Sequence, residues 1–261
     1  MSNIKTNEEI EIMRENALLV SMTLAEVAKH IEPGISTSEI DKIAERYIRD
    51  HGAEPGFLGY NGFPNTLCIS VNSAVVHGLP SAYRLREGDI VSVDCGTRMK
   101  GFYGDSAYTF AVGKISPSAE KLLKATKESL FQGIAQAVEG KRIGDVSCAV
   151  QSHVEKCGYS VVREMVGHSI GRKMHERPDV PNYGRRGQGL KLRSGMVICI
   201  EPMINMGKKD IYKERDGWTI KTTDGSLSAH YELTVAVGKN GADVLSTFEF
   251  IEKVLNNKDF K

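Results

Sequence analysis

Near the start of the chain, apolar residues recur at helical spacing in two stretches. Ile10, Met13, Ala17, Leu24 and Val27 fall on one face of a helix. Thr6 and Glu9 can open it as a capping box, hydroxyl and carboxylate each accepting from the other residue's backbone N–H, and Pro33-Gly34 closes it. Ile40, Ile43, Ala44, Tyr47 and Ile48 repeat the pattern after a second box, Ser36 with Glu39, and stop at His51-Gly52. From there to about Val112 the alternation is that of strands. Ser116-Pro117 then sets a cap with proline at the first helical position, and a helical pattern runs from Leu122 to Val138 before Gly140. Val146, Ala149, Val150 and Val154 form the apolar face of a further helix ending at Gly158.

Shifted by 106 positions, the first helix pair lies on the second, Gly34 on Gly140, Ile40 on Val146, Ile48 on Val154 and Gly52 on Gly158. Helix, helix, strands therefore occurs twice, which predicts two similar halves about an approximate twofold with a cleft between them. Amphipathic helices with glycine stops also resemble one another by chance, so the match alone leaves that open.

Inside the strand regions, acidic residues sit on polar faces. Ile90-Val-Ser-Val-Asp94 alternates, with Ser92 and Asp94 opposite Val91 and Val93; Asp105, Ala107, Thr109 and Ala111 share a small or polar face opposite Tyr108, Phe110 and Val112. A hairpin turning near Met99-Lys100 would set Asp94 directly across from Asp105, although Met-Lys is poor chemistry for a tight turn and a bulge at Gly101 or Gly104 would shift that register. Further on, Val197-Ile-Cys-Ile-Glu201 ends an apolar strand in a carboxylate, and His230, Glu232 and Thr234 alternate with Tyr231, Leu233, Val235 and Val237. His168 and His175 sit among Gly167, Gly171 and Pro178 rather than on a helix pattern.

The chain has 261 residues, enough for one large or two small domains. Hydrophobic residues at 41%, charged residues at 26% and a mean hydropathy of -0.27 fit an ordinary globular protein without a spanning helix. Lys plus Arg (34) nearly balances Asp plus Glu (33), which disfavours dependence on nucleic-acid phosphates, so no specific nucleic-acid partner is expected. The opening Met-Ser-Asn-Ile-Lys lacks a basic segment leading into an apolar run, and the five cysteines are scattered. A cytoplasmic protein with reduced thiols and no membrane partner is expected.

Taken singly, each candidate has a structural explanation: a strand-end Asp as turn former, a Glu before Pro as a solvated end, a lone His as a satisfied polar residue. Taken together, two Asp, two Glu and one His on core strands or glycine-rich loops carry a formal charge of minus four, which two divalent cations balance. That oxygen-rich set with one imidazole suits Mn, Fe, Co or Zn better than a thiolate-built structural zinc site.

The order His77-Gly-Leu-Pro80, Val93-Asp94, Gly104-Asp105, Gly167-His168, Met174-His175, Ile200-Glu201-Pro202-Met203 and Tyr231-Glu232 resembles the methionine aminopeptidases of the short type I form, from about Ile4 to about Thr247. The resemblance implies the pita-bread fold, an α/β (α+β) architecture of two pseudo-symmetric halves, here about 6–112 and 113–248 of a single catalytic domain spanning 1–261, around a dimetal cleft. It implies that Asp94, Asp105, His168, Glu201 and Glu232 bind two divalent ions, with Asp105 and Glu232 bridging, and that hydroxide generated between the ions attacks the first peptide bond. Glu201 would be the general base, His77 would stand near the scissile nitrogen and His175 would polarise the carbonyl. Tyr60, Phe63, Cys68, Met174 and Trp218 match positions that line the methionine pocket. Position 174 is usually aromatic in this family, and Met174 departs from that. The Glu201 to Glu232 interval of 31 residues leaves no room for the insertion of type II enzymes.

The implied function is removal of the initiator methionine from nascent chains whose second residue is small, by a monomer whose contact with the ribosome, if made, is weak and electrostatic. The Met-Ser start would make the chain its own substrate. The alternatives are an Xaa-Pro aminopeptidase or prolidase, which usually carries a large additional N-terminal domain, and a non-catalytic pita-bread protein or an amidinohydrolase, neither of which needs the metal carboxylates.

Overall fold

A computed structural model describes residues 4–258, so the Met-Ser start lies outside the described residues. Helix α1 (Asn7–His30) begins at the anticipated box, Thr6 Oγ1 accepting from Glu9 N while the Glu9 carboxylate accepts from Thr6 N. Helix α2 (Thr37–Asp50) does the same with Ser36 and Glu39. Ser116 caps α3 (Pro117–Ile134), and α4 (Ile143–Lys156) follows.

Helix α3 stops four residues short of the Val138 suggested by its apolar pattern. Gln136 N and Ala137 N bond back three residues, to Gly133 O and Ile134 O, and Val138 leaves the helix to form a parallel bridge with Gly238. Gly133 lets the neighbouring helix approach: a Cβ there would sit 2.8 Å from Val150 Cγ2. A fifth helix, α5 (Glu249–Lys258), was not legible in the sequence. It packs against α1, and the junction is fixed where Thr247 N donates to Ser21 Oγ.

Two sheets carry the acidic residues. In the first, strand Ile90–Met99 lies between Phe102–Ala111, which pairs along its whole length on one side, and Leu67–Val71 and Glu54–Pro55, which share the other. In the second, the order is Ala242–Val244, Leu233–Val237, Val197–Ile200, Gly167–Ser169, Glu176–Val180. Apolar side chains such as Val93, Phe110, Leu122, Ile198 and Val235 fill the space between sheets and helices. Among the described residues, no helix is long and apolar enough to cross a membrane.

The long hairpin corrects one expectation. Its turn is Lys100-Gly101, both with left-handed backbone (φ 52° and 79°), the pair of positive φ values that a two-residue turn needs to match strand twist. Met99 stays in its strand opposite Phe102, and the register moves by two: Asp94 pairs with Ala107 and Asp105 with Gly96. The two aspartates are thus diagonal neighbours on one face, not directly opposite.

Hydroxyls stitch this hairpin to the chain around Glu232. Ser106 Oγ donates to Glu232 O at 2.7 Å, Thr109 Oγ1 to His230 O at 2.7 Å, and Thr234 Oγ1 to Asp105 O at 2.8 Å. Ala107 and Glu232 exchange backbone bonds as an isolated bridge. The small and polar residues on these faces are what allow two carboxylate-bearing strands to lie this close.

Candidate active site

Asp94 and Asp105 project from the hairpin, His168 from Gly167–Ser169, Glu201 from the end of Val197–Ile200, and Glu232 from the bridge before Leu233–Val237. Donor atoms of Asp105, His168, Glu232 and the thiol of Cys199 all lie within 4.8 Å of one another. His168 Nε2 is 3.6 Å from both Asp105 Oδ2 and Glu201 Oε1. Asp94 Oδ1, Asp105 Oδ1 and Glu232 Oε1 are buried without a hydrogen-bond partner.

Electrostatics tests whether cations suit this cluster. Burial, and then the mutual repulsion of Glu232, Asp94 and Glu201, pushes Asp105 well above the ordinary carboxylate range. Glu201 and Glu232 are raised by the same two causes. Burial pushes Asp94 up to about 6, although the nearby His230 and bonds to Asp105 and Cys95 N oppose the shift. His168 is pushed down to about 3, chiefly by burial, so it is neutral near pH 7. Its Nδ1 faces the Ser169 carbonyl at 3.1 Å. A carbonyl can only accept, so Nδ1 carries the proton and Nε2 turns a bare lone pair toward two carboxylates. Lone pair against lone pair is relieved by positive charge between them, a shared proton in the metal-free chain or a metal ion in its place. The donor set therefore fits divalent metal, with oxygen and imidazole donors in the majority.

Cys199 entered the sequence reading only as a reduced thiol. Burial and the surrounding carboxylates raise its pKa, and its Sγ lies 3.4 Å from Thr234 Oγ1. It stays a protonated neighbour of the cluster rather than a thiolate donor.

A cavity of about 300 Å³ opens on these groups. Tyr60, Phe63, Cys68 and Trp218 line it together with His77, His175 and all five acidic and imidazole candidates. Phe63 and Trp218 meet edge to face with centroids 5.1 Å apart. Asp216 holds the Trp218 turn by accepting from Trp218 N and Thr219 N. Met174 belongs to the same apolar cluster as Phe63 and Cys68, against which Tyr60 and Trp218 pack. It is fully buried, its Cε filling the space beside Gly56 and Gly96, where added Cβ atoms would come within 2.9 and 2.7 Å of it.

Both histidines outside the cluster face the cavity. His77 follows strand Ala74–Val76 in a left-handed conformation (φ 58°), unusual for a residue with a side chain and a mark of sites where the surroundings over-determine the backbone. Gly78 makes this possible by lying against the neighbouring strand, where a Cβ would be 2.2 Å from Ile69 O. Burial, then His230 and His175, lowers the His77 pKa, though the ring is open to cavity solvent, which screens part of the effect. His175 Nδ1 is 2.8 Å from Tyr60 Oη, and its ring centroid is 4.3 Å from that of His168.

Sequence reasoning missed His230, Met165 and Met203 as lining residues. His230 carried a signal, since it alternates with Glu232 and Thr234 on one polar face. Met203 entered only as the end of the Ile200-Glu201-Pro202-Met203 motif, and Met165 carried no signal.

The comparisons agree with this geometry. Residues 11–239 match the model of metallopeptidase family M24. The chain is 52% identical to a methionine aminopeptidase of Clostridium perfringens over 93% of its own length and 98% of the relative's. It is 48% identical to methionine aminopeptidase 1 of Bacillus subtilis, with the same coverage. The crystal structure of a Thermotoga maritima methionine aminopeptidase superposes with a TM-score of 0.93 at 42% identity, covering 95% of this chain and all of that one. A buried carboxylate–imidazole cluster, a family match across most of the sequence and near-full-length relatives lead to one conclusion: the chain belongs to the methionine aminopeptidases of metallopeptidase family M24.

Proposed function

We propose that the protein removes the N-terminal methionine from polypeptides whose second residue is small, at a centre where Asp94, Asp105, His168, Glu201 and Glu232 hold two divalent ions. The observation that carries this reading is the bare His168 Nε2 facing Asp105 and Glu201 at 3.6 Å among carboxylates raised by mutual repulsion. Manganese, iron, cobalt and zinc all suit the donors, and cellular availability decides among them. Bound there, the ions supply Lewis acidity and acidify water.

The remaining work belongs to the chain's own groups. Glu201 lies at the cavity floor with one oxygen toward His168 and the other toward His230, placed to take a proton from the attacking water. His77 stands on the side of the leaving nitrogen, and His175 presents a donor to the carbonyl oxygen as charge develops on it. Tyr60 fixes the His175 ring through Nδ1, which turns Nε2 to the substrate. Tyr60, Phe63, Cys68 and Trp218 form a wall of rings and sulfur suited to an unbranched thioether.

The substrates are nascent polypeptide N-termini. Xaa-Pro and non-catalytic readings are not favoured, because near-full-length relatives are methionine aminopeptidases and the set of carboxylates is complete. Mass spectrometry of Met-Gly-, Met-Lys-, Leu-Gly- and Ala-Pro- peptides, with manganese or cobalt and with chelator, tests the proposal. Metal-dependent loss of methionine from Met-Gly- alone is expected; cleavage of Ala-Pro- in its place overturns it.

A further inference from the structure

His230 is the one histidine in the cavity with no role so far. It ends strand Ser228–His230, opposite Met203, two residues before Glu232. Thr109 clamps its backbone from both sides, Oγ1 accepting from His230 N at 2.9 Å and donating to His230 O at 2.7 Å. The ring is 2% exposed and lines the cavity. Its Nε2 is buried with no hydrogen-bond partner. The nearest acidic atom is Glu201 Oε2, at 3.7 Å.

Buried ring nitrogens are normally satisfied, and one left open at a cavity wall points at what it serves. Glu201 divides its two oxygens between two imidazoles: Oε1 faces His168 and Oε2 faces His230, each just beyond hydrogen-bond range. Asn182 Nδ2 holds the Glu201 carbonyl at 2.9 Å, so the backbone is fixed while the carboxylate can still rotate about its last bond. A small rotation brings Oε2 onto Nε2, and catalytic hydrogen bonds are commonly long until substrate and cofactor are in place.

We propose that His230 is a positioning residue that donates from Nε2 to Glu201 Oε2, fixing the plane of that carboxylate so that Oε1 is turned to the ions and Oε2 to the proton it accepts. This rests on the reading of Glu201 as ligand and base. His230 itself neither binds metal nor touches substrate. Partners of this kind around a metal site commonly govern 10- to 100-fold of activity or affinity.

The test compares His230→Gln, which carries an N–H donor at about the Nε2 position, with His230→Leu, which fills the same space without one, and His230→Asn, whose amide falls short of Glu201. Metal-free melting curves confirm that each variant is folded, and the Gln and Asn pair decides the matter if Leu is not. With saturating cobalt, His230→Leu and His230→Asn should lose about 10- to 100-fold in kcat on a Met-Gly peptide, with KM within about twofold, and His230→Gln should recover to within about threefold of wild type. Calorimetry should give the same number of bound ions for all four proteins. The visible spectrum of the cobalt-loaded protein should shift in Leu and Asn and be restored in Gln.

Wild-type kcat and spectrum in the Leu and Asn variants would reduce His230 to a space filler and overturn the proposal. Loss of a bound ion in both Gln and Leu would make it a ligand, and overturn it equally. If the wild-type protein cleaves no peptide, the functional reading fails, while the spectra still decide whether His230 sets the Glu201 carboxylate.

Discussion

Asp105→Asn separates the cost of the carboxylate cluster from its use. Oxygens of Asp105 and Glu232 lie within 4.8 Å. At an effective dielectric of about 20, two full charges at that distance repel by roughly 3.5 kcal/mol, which proton uptake in part relieves. The shift of Asp94 from 3.8 to about 6 corresponds to about 3 kcal/mol, and it comes from burial, which outweighs the lowering by His230, Asp105 and Cys95 N. Removing one charge relieves some of this, while the buried amide at an unpartnered position returns about 1–3 kcal/mol of cost. The net expectation in chelator at pH 7.5 is a variant about 1–2 kcal/mol more stable than wild type, or roughly 2–8 °C in Tm.

Metal should invert the order. Wild type gains about 2.7 kcal/mol at a hundredfold excess of ion over Kd, and the variant, short of a bridging charge, gains much less. pH supplies a further check. A carboxylate raised in the native state holds a proton that the unfolded chain has released, so metal-free wild type loses stability as pH rises from about 4 through the Asp94 value of about 6. The advantage of Asp105→Asn should therefore shrink at pH 5. Scanning calorimetry of both proteins, with chelator and with manganese, reads all of this. A variant that melts below wild type in chelator at pH 7.5, or a wild type indifferent to metal, refutes the reasoning.

Three other outcomes follow from single contacts. Lys5 and Glu176 form a buried pair at 2.7 Å, with side chains 3% and 9% exposed. Glu176→Ala strands the ammonium and should cost about 3–5 kcal/mol in urea unfolding, whereas an exposed pair would cost under about 1 kcal/mol. Tyr60→Phe removes the bond to His175 Nδ1; kcat on a Met-Gly peptide should fall about tenfold with KM nearly unchanged, and a change confined to KM would show Tyr60 to be pocket wall only. Gly96→Ala places a Cβ 2.5 Å from Phe57 Cε1 and 2.7 Å from Met174 Cε. That overpacking should cost about 1–3 kcal/mol and raise KM, both of which Met174→Ala in the same chain should partly restore.

What the sequence showed, it showed where short-range chemistry decides. Thr6, Ser36 and Ser116 cap helices through bonds to residues three positions on, so a window of four residues contains the whole cause. Alternation placed Asp94, Asp105 and Glu232 on polar faces because a strand has a period of two whatever its partner. Pairing was different. The hairpin register depends on which residues take positive φ, and the sequence set Lys100 in the turn without deciding between Met99 and Gly101 as its partner. The end of α3 depends on Val138 meeting Gly238, one hundred residues away, and α5 exists because α1 offers it a surface.

The same division holds in the cavity. Their glycines and proline brought His168 and His175 forward and the family resemblance brought His77, whereas His230 showed only its place on the polar face with Glu232 until the Thr109 clamp and the nearness of Glu201 singled it out. Met174 was assigned to the wall from its position in the family pattern. Its side chain also fills the space left by Gly56 and Gly96, which no local rule foretells.

The assignment of the five side chains is tested most directly by anomalous diffraction from crystals of the protein soaked in manganese. The account predicts anomalous peaks enclosed by Asp94, Asp105, His168, Glu201 and Glu232, with Cys199 and His230 outside bonding distance. A peak bound through the Cys199 thiol, or none at this cluster while metal binds elsewhere, would contradict it.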